Sequence, residues 1–202
     1  MSKALRIVRV ALGAVSILTF AASRAAHADA SPPFPDMGSA AKLELTDARS
    51  GRPLMPSLRG KAILVSFIAS TCRETCPMTE ATFASVARRL QALSDTRRVA
   101  MVLVTVDPVT DTVPKLCAFA RSFSTHDGTI AFATGSRRTV TPLLERYDID
   151  VRFKREKHDD PDHTAVTYLI DPHWHVRYEF GSNYGAASIA RLTERFVRSD
   201  MR

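Results

Sequence analysis

The chain has 202 residues, three cysteines and a formal net charge of +7. Three cysteines are too few for a disulfide-stapled scaffold. The basic residues form no dense stripe with interleaved aromatics, which argues against nucleic-acid binding. The length fits one domain with a real core.

Residues 1–28 have the pattern of a secretory signal peptide. Lys3, Arg6 and Arg9 make a basic start, Val10 to Ala22 an apolar stretch of 13 residues, and Ala26-His27-Ala28 an A-x-A cleavage site before Asp29. A membrane span needs about 20 apolar residues, so the stretch is short for one. The expectation is export to the periplasm. The lesser alternative is an inner-membrane anchor through residues 10–22, the one route to a membrane if the signal stays uncut. No cysteine stands directly after the apolar stretch or at the cleavage site, where Asp29 follows Ala28, which argues against a lipid anchor. Losing 1–28 removes Lys3, Arg6, Arg9 and Arg24 and no acidic residue, so the charge falls from +7 to +3. An odd number of cysteines in an oxidising compartment leaves at least one thiol outside any internal disulfide.

Residues 29–40, with Ser31-Pro32-Pro33-Phe34-Pro35-Asp36, read as a proline-rich extended linker. The domain is expected over 41–202. Lys42 to Thr46 alternates like a short strand, and Asp47 to Gly60 is rich in turn residues. Ala62 to Phe67, a nearly unbroken apolar run, predicts a buried strand. It leads into Ser70-Thr71-Cys72-Arg73-Glu74-Thr75-Cys76-Pro77-Met78. Phe83, Val86, Ala87, Leu90 and Leu93 are then spaced as the inner face of a helix. Pro77 suits that helix's first turn, where a missing N–H costs nothing.

Two thiols thus stand at a strand-to-helix junction. The partial positive charge of a helix N-terminus favours thiolate. Such a pair is a redox couple, two ligands of a soft metal or, more plainly, a structural disulfide.

Val99 to Val106 predicts a second buried strand of the parallel type. After Asp107-Pro108, Asp111 or Thr112 is placed to cap a helix with Leu116, Phe119, Ala120 and Phe123 inward. Cys117 reads as a small buried hydrophobe in that helix. Ile130 to Ala133 is a short strand, and Ser136 to Tyr147 a helix with Val140, Leu143 and Leu144 inward. Val151 to Lys154 alternates as an edge strand, and Arg155 to Asp162 is a charged loop. Ala165 to Ile170 is a strand that turns through Asp171-Pro172-His173-Trp174 into a hairpin partner, Val176 to Phe180. A last helix covers 186–198. The succession predicts an α/β three-layer sandwich with a mixed sheet, closed by a β-hairpin and a helix.

Of the histidines, His163 stands where the charged loop enters an apolar strand. His173 and His175 fall in the hairpin turn and read as surface residues, and His126 and His158 carry no pattern. Leu58-Arg59-Gly60-Lys61, Cys72-x-x-x-Cys76-Pro77, Val106-Asp107-Pro108 with Asp111-Thr112, Asp162-His163-Thr164 and Tyr168-Leu169-Ile170-Asp171-Pro172 occur in this order. That combination resembles the SCO/SenC copper chaperones over roughly residues 40 to 200. The resemblance implies a thioredoxin-like fold carrying one copper ion on Cys72, Cys76 and His163. It also implies a metallochaperone, with reduction of the copper-centre cysteines as a second activity proposed for some family members. The implied partners are the cytochrome c oxidase subunit with the binuclear copper site, or another copper chaperone.

The donor chemistry agrees. Thiolates select Cu(I), while imidazole also suits Cu(II). Two thiolates and a neutral histidine leave a site of net charge −1 with Cu(I) and 0 with Cu(II), so a nearby cation favours the reduced state. Arg73 is placed to be that cation, or is simply a solvated turn residue. Asp107 and Asp111 are either outer groups of the site or a turn and a cap. The rival function is a thiol–disulfide oxidoreductase acting on a copper-site disulfide or on other periplasmic proteins. Against efficient exchange stand the extra residue between the cysteines and Ala165, which falls where related thioredoxin-like proteins carry a proline. A peroxiredoxin-like peroxidase would leave Cys76-Pro77 and Asp162-His163 idle. Structural zinc wants four ligands, not three.

Overall fold

The computed structural model describes residues 34–72, 76–92, 96–122, 129–153 and 161–201, with only the backbone for Cys76, Pro77 and Thr96. Three short elements come first: β1 (Thr46–Asp47), β2 (Arg52–Pro53) and α1 (Met55–Leu58). The alternation over Lys42 to Thr46 therefore marks burial and not a strand of that length. Leu43 and Leu45 are both buried, but Leu45 N–H bonds back to the Leu43 carbonyl at 2.8 Å instead of to a neighbouring strand. The stretch expected to be turns holds β2 and α1, which are too short to show a period.

β3 (Ala62–Ile68) is buried at all seven positions. A strand covered on both faces needs apolar side chains in both directions, which is why its sequence runs instead of alternating. α2 (Cys76–Ala92) follows and buries Phe83, Ala84, Val86, Ala87 and Leu90. β4 (Val99–Thr105) lies parallel to β3, with Ala62 opposite Val99 and Ile68 opposite Thr105. α3 (Val113–Ser122) leads to β5 (Ile130–Thr134), parallel to β4. α4 (Arg137–Arg146) is capped by Ser136, whose hydroxyl accepts from the Thr139 N–H at 3.2 Å.

β6 (Val151–Arg152) and β7 (Asp162–His163) pair antiparallel in a two-stranded ladder of their own. The edge strand read over Val151 to Lys154 is paired only at Val151–Arg152, apart from the seven-stranded sheet, and Lys154 lies outside the described residues. Two paired residues make a local clasp, and β6 finds its partner in the residues that lead into the next strand. β8 (Val166–Ile170) runs antiparallel to β3, and β9 (Val176–Gly181) antiparallel to β8. α5 (Ala186–Ser199) packs against α2. The seven-stranded sheet has the order β2-β1-β5-β4-β3-β8-β9.

Phe34 is an early anchor of this body. It is buried, its ring meets Tyr178 at 6.2 Å and Phe196 at 5.3 Å, and the Arg195 guanidinium lies 4.5 Å above it. Downstream, Met37 N–H bonds to the Val176 carbonyl and Val176 N–H to the Gly38 carbonyl, both at 2.9 Å. No helix among the described residues is long and apolar enough to cross a membrane.

Candidate metal centre

Register sets the geometry of the site. Ser66 of β3 stands opposite Thr167 of β8, so the exit of β3 and the entry of β8 share one end of the sheet. The buried Ser66 hydroxyl ties the two together by donating to the Val166 carbonyl at 2.7 Å. Cys72 lies four residues beyond the end of β3, and His163 three residues before β8 begins. Their loops therefore meet that same end.

The cysteine loop is tightly made. The Val106 N–H donates to the Ile68 carbonyl at 2.7 Å, and the Cys72 N–H folds back to the Ala69 carbonyl at 3.1 Å. Cys72 is buried at 8% exposure. Cys76 opens α2, so the second thiol belongs to a helix N-terminus as its position in the sequence suggested. The Cys76 side chain and Arg73 lie outside the described residues, as do His126, His158, Leu93 and Phe123. Among the described residues, no group of three His, Cys, Asp or Glu side chains is arranged to hold a metal ion. The set expected from the sequence includes Cys76 and so is not covered by that observation.

His163 is half-buried in β7, opposite Val151. Its Nδ1 lies 3.1 Å from the Thr164 carbonyl oxygen. A carbonyl only accepts, so Nδ1 carries the proton and Nε2 keeps the lone pair that a metal needs. Thr164 is itself fixed, since its N–H donates to the Asp150 carbonyl and its hydroxyl accepts from the Asp150 N–H, both at 3.1 Å. Burial pushes the His163 pKa below the ordinary imidazole value, while the Thr164 bond and the Asp162 charge partly offset this. The neutral ring is the ligating form.

The fit to a soft metal has one further mark. The Thr71 hydroxyl, next to Cys72, is buried and has no hydrogen-bond partner among the described residues. An unpaired buried hydroxyl costs about 1–3 kcal/mol. A metal-bound thiolate is an acceptor that would relieve it. The donor set of thiol sulfur and imidazole nitrogen suits copper in both oxidation states. A groove of about 140 Å³ opens beside this end of the sheet, lined in part by Met78, Phe83, Ala165 and Tyr184. Met78 on its rim is 73% exposed.

The two aspartates differ. Asp107 is a turn residue, accepting from the Thr110 N–H at 3.2 Å. Asp111 does not cap α3 with its side chain. It is wholly buried, and its carboxylate accepts from the Ser70 N–H at 3.0 Å, from the Ser70 hydroxyl and from the Thr105 hydroxyl at 2.6 Å. Sequence reasoning gave Ser70 and Thr105 no part in the site. The one available signal was an acid close behind a buried strand. Cys117, expected to be a small buried hydrophobe, is only half-buried against the core, and its sulfur accepts from Arg121 Nη2 at 3.3 Å.

A family model, SCO1/SenC, matches residues 38–198. The chain belongs to the SCO1/SenC family. It is 26% identical over 142 residues to the mitochondrial SCO2 homolog of Mus musculus, an alignment covering 69% of this chain and 54% of the mouse protein. The chain thus spans about half the length of that relative. Among solved structures it resembles Arabidopsis thaliana ScoI with copper bound, at a TM-score of 0.69, 22% identity and coverage of 80% and 99% of the two chains. It also resembles BsSco, in which a disulfide switch was identified and which is a member of the Sco family of cytochrome c oxidase assembly proteins. There the TM-score is 0.66, with 22% identity and coverage of 81% and 96%. These likenesses show the fold, which is the thioredoxin-like α/β sandwich expected from the sequence.

Proposed function

We propose that this SCO1/SenC-family domain is an exported copper metallochaperone that binds one Cu(I) or Cu(II) through Cys72, Cys76 and His163. It serves assembly of the cytochrome c oxidase copper centre. The observation that carries the reading is the register of β3 against β8, which brings the loop of Cys72 and the ladder of His163 to one end of the sheet. The contact of His163 Nδ1 with the Thr164 carbonyl leaves the Nε2 lone pair for a metal, and the Thr71 hydroxyl, without a hydrogen-bond partner among the described residues, belongs to the residue before Cys72.

Copper is the cargo here. Three-coordinate binding leaves one side open, where a thiol of the receiving oxidase subunit, or of a second copper chaperone, can attack. Residues 1–28 are the export signal in this reading, which puts the domain in the periplasm. An uncut residue 10–22 segment would hold it at the inner membrane.

Anaerobic titration of the reduced protein tests the assignment. One copper per chain is expected, with a large loss of affinity in each of Cys72→Ser, Cys76→Ser and His163→Ala. A sulfur-to-metal charge-transfer absorption is expected with Cu(II). Full binding by His163→Ala would reject the three-ligand site.

The second reading, a thiol–disulfide reductase for the cysteines of a copper site, draws support from the disulfide switch described for BsSco. It expects disulfide exchange that is unchanged in His163→Ala. Burial of Cys72 weighs against it, because exchange needs an accessible sulfur.

A further inference from the structure

Asp111 sits in the connection from β4 to α3, yet the bonds its carboxylate makes run to the exit of β3 and the end of β4. Ser70 is held at two atoms, its N–H and its hydroxyl, two residues before Cys72. Thr105, which donates to the same carboxylate, pairs with Ile68, the last residue of β3. The Asp111 backbone is held as well. Its N–H donates to the Asp107 carbonyl at 2.8 Å, and its carbonyl accepts from the Thr134 hydroxyl at 2.7 Å. Three strand ends, those of β3, β4 and β5, are thereby joined through one wholly buried residue.

We propose that Asp111 is the positioning residue of the Cys72 thiol, fixing the course of the loop from Ser70 to Cys72 by hydrogen bonds and not by its charge. The proposal rests on the copper reading of the site. The loop keeps its course although the Thr71 hydroxyl is left buried and unpaired among the described residues, so something stronger holds it. The carboxylate at Ser70 is the group that does so. Charge and geometry are separable here because asparagine can make the same three bonds. Its carbonyl oxygen can accept from the Ser70 N–H and the Thr105 hydroxyl, and its amide can donate to the Ser70 hydroxyl oxygen once that proton turns away.

The test compares Asp111→Ala, Asp111→Asn, Ser70→Ala and Thr105→Val in the full chain. Two properties are read: the energy of the sulfur-to-Cu(II) absorption, and the rate at which a colorimetric chelator removes Cu(I). Asp111→Ala is expected to shift the absorption and speed Cu(I) loss about tenfold, while Asp111→Asn stays within about twofold of wild type. Asp111→Asn as damaging as Asp111→Ala would overturn the proposal, since charge would then be the cause. So would an unchanged Asp111→Ala. If Asp111→Ala does not fold, Ser70→Ala and Thr105→Val decide: each should shift the absorption, and wild-type spectra from both, folded, would overturn it.

A wild-type protein that binds no copper sinks the copper reading separately. The positioning role is then read from the alkylation rate of Cys72 in a Cys76→Ser, Cys117→Ser background. Asp111→Ala should change that rate and Asp111→Asn should not; equal rates for all three would overturn it.

Discussion

The loop that carries Cys72 and the ladder that carries His163 reach the same end of the sheet by different means. The cysteine loop leaves a strand buried at every position and is tied at Ile68, Ser70 and Cys72, with a fully buried carboxylate at its centre. The histidine stands in a ladder of two residue pairs, Val151 with His163 and Arg152 with Asp162, and Arg152 and Asp162 are both exposed. One arm is integrated with the core, and the other is a surface clasp. The Cys72 loop is thus fixed by bonds to distant strands, while the bonds described for the His163 segment run to its neighbours Thr164 and Val151.

The contrast can be broken most sharply with copper. Cys72→Ser should lower Cu(I) affinity about 100-fold or more, and His163→Ala by less, because Cu(I) prefers sulfur to nitrogen. Competition with a Cu(I) chelator measures both, and a larger loss from His163→Ala would reverse the ranking of the two arms.

Stability should follow the same division. Asp111→Ala leaves the buried Thr105 hydroxyl and the part-buried Ser70 N–H and hydroxyl without their acceptor and should cost about 2–4 kcal/mol by urea unfolding. A cost below that of Val151→Ala would show that the carboxylate does not hold the strand ends together.

Glu80, on the second turn of α2, adds a pH dependence to the cysteine arm. Burial pushes its carboxyl from 4.5 up to about 7. A raised carboxyl pKa means that the folded protein favours the protonated form. This contribution is fully present below pH 4.5 and is lost as the pH rises through 7. At pH 8 the wild type therefore carries the cost of a half-buried carboxylate. Glu80→Gln should be about 1 kcal/mol more stable than wild type at pH 8, a value discounted for the group's partial solvation, and no more stable near pH 4. Equal unfolding midpoints at pH 8 would place Glu80 in solvent.

The smallest effect is expected in the clasp. Val151→Ala removes part of one half-buried side chain opposite His163 and should cost about 0.5–1 kcal/mol. Copper affinity should change by only a few fold. A large loss of copper from this change alone would mean that the β6–β7 ladder, and not the Thr164 bond, sets the imidazole.

The chain's own order of residues determined the central strands, the helices and the ranking of the cysteines. Ala62 to Phe67 and Val99 to Val106 are legible because a strand buried on both faces has no polar side to show, and Phe83 to Leu90 because one helical face meets the core. The resemblance carried by Cys72, Cys76 and His163 is legible for a different reason: its motifs are short and contiguous. What only the tertiary structure decided depends on partners distant in the chain. Phe34 counts as core because Tyr178 and Phe196 close over it. Asp111 is a tie and not a cap because Ser70, 41 residues earlier, lies within its reach. Val151 pairs with His163 because a single ladder could form there, which two residues cannot announce by periodicity. Local pattern records which face of an element is buried; which polar groups meet is settled by register between segments far apart, and no stretch of sequence read alone contains that register.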